Sequence, residues 1–133
     1  MEYKFKETPT LYFTTYDGIL IGKTKMAKFY RETYSNLEWE IKIVEPLIDI
    51  DLMETLLSAE SFIIYTENIV NRASDGKKKT IWYKFINSTI ADFTQQMNCY
   101  AEVNAEPITT YTATNREYIS EKDLPESIKE ELK

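Results

Sequence analysis

The chain has 133 residues, 43% of them hydrophobic and 14% aromatic, and a net charge of −6; this is the composition of one folded domain that can build a core without metals or disulfides. It contains no histidine and a single cysteine, Cys99, so the usual neutral-pH acid-base residue, the commonest zinc ligand and an internal disulfide are all missing. No apolar run is long enough for a membrane span or a signal-peptide core, and the expected compartment is the cytoplasm.

The first local signal is Asp17-Gly18, a dipeptide that suits a two-residue type I′ hairpin turn. Its register would pair Tyr16 with Ile19, Thr14 with Ile21 and Tyr12 with Lys23 on one face, and Thr15 with Leu20 and Phe13 with Gly22 on the other. LEWEIKIVE, residues 37–45, alternates as a half-buried strand does, with Leu37, Trp39, Ile41 and Ile43 inward and Glu38, Glu40 and Lys42 outward. DLMETLLSAE, residues 51–60, opens on an aspartate with Glu54 three positions on, a capping-box pattern that predicts a short helix with Leu52, Met53, Leu56 and Leu57 as its apolar stripe.

Asp75-Gly76 predicts a second hairpin, with Val70 opposite Ile81 and Thr66 opposite Phe85 on one face, and Ile69 opposite Trp82 and Glu67 opposite Lys84 on the other. The rival is one helix from Asp51 to about Arg72; Ile63, Ile64, Tyr65, Ile69 and Val70 favour the strand. Further on, STIADFTQQMN suits either helix or strand, CYAEVNA and TTYTAT read as strands separated by Pro107, and DLPESIKEELK reads as a terminal helix with Leu124, Ile128 and Leu132 on one thin face. The fold class expected is α+β: a mainly antiparallel sheet built from β-hairpins, with one short central helix and a C-terminal helix. One domain spans 1–133, and 115–133 is its candidate mobile segment.

Charge is laid out in blocks. Lys23, Lys25, Lys28 and Arg31 have no acid among them; residues 38–67 carry eight acids against Lys42 alone; Arg72, Lys77, Lys78, Lys79 and Lys84 follow with only Asp75. Such a bipolar surface steers partners without specifying a fold. The candidate partner-binding residues are the acids Glu38, Glu40, Glu45, Asp49, Asp51 and Glu54, together with Lys77, Lys78, Lys79, Trp82 and Tyr83 at the second hairpin. A solvated sheet face and a lysine-guarded turn account for the same residues without any partner.

Nucleic acid is disfavoured as a partner, because Trp82 and Tyr83 alternate to opposite faces and the acidic block repels phosphate. The acid pairs Glu38 with Glu40 and Asp49 with Asp51 are the only candidates for catalysis or a magnesium site, and DIDLMETLLSAE lacks the glycine that an EF-hand loop needs. No cofactor or metal is expected. The leading expectation is a small non-catalytic protein-binding module, carried on a mobile element, that inhibits or adapts a larger protein in the manner of inhibitor, immunity or anti-defence proteins. Two alternatives remain: a virion or assembly subunit that forms homo-oligomers, and a small-molecule-binding domain with a pocket lined by Trp39, Tyr12, Tyr83 and Phe85.

Overall fold

A computed structural model describes residues 9–26, 28–45, 49–71, 74–96 and 106–133. It is a mostly antiparallel sheet with two helices, an α+β fold. The strands are β1 (Thr10–Thr14), β2 (Leu20–Lys25), β3 (Lys28–Ser35), β4 (Glu38–Val44), β5 (Phe62–Asn71), β6 (Lys78–Gln96), β7 (Glu106–Ala113) and β8 (Asn115–Ile119). Helix α1 (Ile50–Ser58) lies between β4 and β5, and α2 (Glu126–Glu131) follows a 3-10 turn at Glu121–Asp123. Residues 51–71 are thus helix followed by strand, as the run of β-branched residues after Ser61 favours. Residues 97–105, with Cys99 and the CYAEVNA run, lie outside the described residues.

The strand order is β2-β1-β5-β6-β7-β4-β3, with β8 also on β6. The long strand β6 organises this arrangement. Its first half pairs with β5 and β8 and its second half with β7, and β7 and β8 run along it in one register from Ile90↔Tyr111 to Trp82↔Ile119, interrupted only around Thr114. Asn87, at φ 55°, lies where β6 passes from its β5 and β8 partners to β7; asparagine tolerates that left-handed conformation better than most residues. Strands from both halves of the sheet share one core. Leu11, Phe13, Ile41, Ile43, Leu56, Phe62, Ile64, Phe85, Tyr111 and Ala113 fill it, and Phe13, Phe62 and Tyr111 meet with ring centroids 5.5 to 6.5 Å apart.

A second cluster lies on the opposite face of the β1–β5–β6 sheet. Tyr12, Ile63, Tyr65 and Trp82 are covered there by Leu124 and Ile128, which are 3% and 0% exposed. Ser127 Oγ donates to the Gly18 carbonyl at 2.6 Å, and Lys23 reaches Glu131 at 2.7 Å. Residues 115–133 form β8, the 3-10 turn and α2, with Leu124 and Ile128 lying against the β1–β5–β6 sheet. Of its apolar face only Leu132 remains open, at 39% exposure.

Three local departures from the sequence reading have physical causes. At the first hairpin only Gly18 takes positive φ, 84°; its N–H donates to the Thr15 carbonyl at 3.0 Å, and Thr15 N–H donates to the Ile19 carbonyl at 2.9 Å. A bulge between Phe13 and Thr14 absorbs the longer turn, so Tyr12↔Lys23 and Phe13↔Gly22 pair as expected while Thr14 meets Leu20 instead of Ile21. The open space above Gly22 is taken by Leu52 of α1, whose Cδ1 would lie 2.5 Å from any Cβ there.

At the second hairpin the register differs by two residues, with Glu67↔Trp82 and Ile69↔Thr80. A shift of two keeps every side chain on its expected face, which is why the apolar pattern could not detect it. The third departure is the hairpin between β3 and β4, turned by Asn36 and Leu37 at φ 51° and 65°. This is a type I′ turn made without glycine, and Leu37 is 77% exposed there rather than inward. Left-handed φ costs a leucine about 1–2 kcal/mol, so Leu37→Gly is expected to raise stability by about 1 kcal/mol, or about 4 °C in Tm. A calorimetric melt that shows no rise would mean that Leu37 is not strained.

Candidate functional site

The acids singled out in the sequence do not form one surface. Glu38 is exposed at the start of β4, and Glu40 is half-buried. Glu45 continues the inward alternation of Ile41 and Ile43 and is 3% exposed. It accepts hydrogen bonds from Thr109 Oγ1 at 2.8 Å and Tyr111 OH at 3.1 Å, so its role is to tie β4 to β7. Burial, and then the adjacent Glu45 carboxylate, push the Tyr111 phenol far above its ordinary pKa. Asp49 caps α1, accepting from Leu52 N–H at 3.0 Å, while Asp51 and Glu54 are exposed on the helix. Leu57, expected in the apolar stripe, is 62% exposed, and Ile50 is 66% exposed on the same side.

At the β5–β6 tip, Lys77 N–H donates to Asp75 Oδ1 at 3.0 Å; Lys77 and Lys79 are exposed and Lys78 pairs with Asn71. Trp82 is 1% exposed beneath the C-terminal cover, 6.0 Å from the Tyr12 ring. Tyr83 lies on the other face, so these two aromatics do not form a joint platform.

Sequence reasoning missed a cluster where β3, β4, β6 and β8 converge. Arg116 forms an ion pair with Glu32, and its guanidinium carbon lies 3.9 Å from the Trp39 ring, 4.9 Å from Tyr83 and 5.1 Å from Tyr118. One amino group also donates to Tyr118 OH at 2.8 Å. Tyr34 extends the stack, 5.0 Å from Trp39. Burial pushes the Glu32 carboxyl up, and the Arg116 charge opposes that shift without cancelling it. The signal in the sequence was the spacing Arg116-Glu117-Tyr118, which places Arg and Tyr on one strand face beside the outward Glu117. Tyr34 and Tyr118 are 57% and 60% exposed, giving the rim of this cluster the Tyr, Trp and Arg composition of protein interfaces.

Beside the cluster is a cavity of about 50 Å³. Glu32, Thr66, Asn68, Tyr83 and Phe85 contribute to its wall, and the buried Thr66 Oγ1 and Asn68 Oδ1 have no hydrogen-bond partner. That is room for ordered water rather than a metabolite. Tyr12, expected in a pocket with Tyr83 and Phe85, belongs to the opposite face of the sheet. No group of three or more His, Cys, Asp or Glu that could hold a metal ion occurs among the described residues, and no helix among them is long and apolar enough to cross a membrane.

No family model matches this chain, and no curated protein is similar to it in sequence. Solved structures are similar in fold. The crystal structure of an Hcp protein matches over 89% of this chain and 94% of its own length, with a TM-score of 0.52 and 8% identity. This chain has an Hcp-like fold. A mutant form of the Hcp1 protein from the E. coli EAEC 042 pathovar matches over 87% of this chain and 93% of its own, with a TM-score of 0.52 and 10% identity. The inhibitor expectation is corrected by this finding: the fold that this chain shares over nearly its whole length is that of the Hcp proteins. The acidic surface on which that expectation rested is also divided, because Glu45 lies in the interior.

Proposed function

We propose that this protein is a structural subunit that assembles with copies of itself. The observation that carries the reading is the Hcp-like fold, which extends over nearly the whole of both chains compared. Two features support it. Among the described residues the strand path ends in β2 and β3, and β3, with eight residues and no proline, is long for an edge strand. Tyr34, Leu37 and Tyr118 expose large apolar area near that edge. The reading is non-catalytic and needs no cofactor, in keeping with a sequence that has no histidine and no phosphate-cradling glycine pattern. Assembly would begin from a cytoplasmic pool, where a lone cysteine stays reduced.

Sedimentation velocity over the micromolar to millimolar range tests this. The expected result is a concentration-dependent shift from monomer to a discrete oligomer or a growing polymer. A single monomer boundary at every concentration and salt would end the proposal.

A further inference from the structure

From the distribution of charge along the fold we infer that copies associate head to tail, with the β5–β6 tip of one seated on the outer face of α1 of the next. The inference rests on the assembly reading above and names its contact. The two surfaces sit at opposite ends of β5. Helix α1 ends at Ser58 just before that strand begins, and the lysine run starts just after it ends at Asn71. Its ten residues, at about 3.3 Å each, put roughly 30 Å between the two poles.

The poles are complementary in chemistry. The outer face of α1 carries Ile50 and Leu57 at 66% and 62% exposure, with Glu54 between them on the helix surface. Asp49, Asp51 and Glu60 surround that stripe, all exposed. No basic residue occurs between Lys42 and Arg72 in the sequence, and among the described residues none of these four acids forms an ion pair. An exposed apolar stripe ringed by unneutralised carboxylates is matched by an aliphatic stem that ends in a cation. Lysine is such a side chain: its methylenes can lie along Ile50 and Leu57 while its ammonium reaches Glu54 or Asp51.

The tip supplies Lys77 and Lys79, both exposed, on a turn shaped by Gly76 at φ 70°. A Cβ on Gly76 would meet nothing within 4 Å, so there is open space at the turn itself. Contact between two different surfaces of one chain is heterologous, and it propagates into a ring or a filament instead of stopping at a dimer.

Charge exchange tests the pairing. Lys77→Glu with Lys79→Glu, both at the exposed tip, should raise the concentration for half-assembly at least about tenfold, since like charges placed opposite each other cost several kcal/mol. Glu54→Lys with Glu60→Lys should do the same. The four changes combined should bring assembly back to within about threefold of the original protein, because the contact is then rebuilt with its signs reversed. Thermal melts of each variant establish that the monomer is folded.

If the tip variant assembles as the unmodified chain does, or the combined variant fails to recover, this contact is wrong while the assembly reading stands. If the unmodified chain never assembles, both fall.

Discussion

Glu45→Ala is expected to lower unfolding stability by about 3 kcal/mol, because it leaves two buried hydroxyls without their acceptor at about 1–3 kcal/mol each. Those hydroxyls belong to Thr109 and Tyr111, which are 0% and 1% exposed, so water cannot replace the carboxylate without opening the core. Part of the loss is offset, since the alanine removes a charged group whose own burial is costly. Glu45→Gln keeps one carbonyl oxygen as acceptor and should lose about half as much. Chemical denaturation of the three proteins gives the comparison. A value for Glu45→Ala within about 0.5 kcal/mol of the parent, as for an ordinary surface change, would mean that Glu45 points to solvent after all.

The same residue shows how far the sequence could be read. Period-2 alternation from Trp39 through Ile41 and Ile43 places Glu45 inward, and the structure agrees. The expectation of a surface acid came from grouping carboxylates by charge, which ignores the pleat. Where local pattern and backbone chemistry coincide, as at Tyr12↔Lys23 and Phe13↔Gly22, the pairing could be read from the chain.

Where the turn lacks glycine, it could not: Asn36-Leu37 makes a type I′ turn that its composition does not announce. The strand order was hidden for a different reason. β4 pairs with β7 and β1 with β5, and these long-range choices join strands far apart in the chain, which no local periodicity encodes. The Arg116 cluster was hidden in the same way, because Glu32, Trp39, Tyr83 and Arg116 come from four strands that only the tertiary fold brings together.

Arg116 spans the gap between β8 and the edge strand β3. The cover made by Leu124 and Ile128 serves the opposite side of the sheet, where it keeps Tyr12, Tyr65 and Trp82 away from solvent. Apolar surface is thus hidden on one side and exposed around Tyr34, Leu37 and Tyr118.

Removing the Arg116 side chain should therefore be the more damaging of the two changes. Arg116 and Glu32 are 17% and 18% exposed at their side chains, buried enough that breaking the pair from one side costs about 3–5 kcal/mol. Arg116→Ala also gives up stacking on Trp39, Tyr83 and Tyr118, at about 0.5–1 kcal/mol for a cation over an exposed ring. The pH dependence separates the two losses. The Glu32 carboxyl is already raised above its ordinary value of 4.5 by burial, against the pull of Arg116. A carboxyl raised on folding contributes stability that is fully present below its unfolded value and is lost as pH rises through the folded one.

Without the arginine the folded value rises further, so Arg116→Ala should lose most at neutral pH and retain only the stacking loss as pH falls below 4.5. Adding Glu32→Gln to Arg116→Ala removes the stranded charge and should restore about 2 kcal/mol at pH 7 while leaving the acid end unchanged. Urea melts across this pH range measure all three. If Arg116→Ala costs the same at every pH and Glu32→Gln restores nothing, then the ion pair contributes no more than its stacking, and the link between β3 and β8 must lie elsewhere.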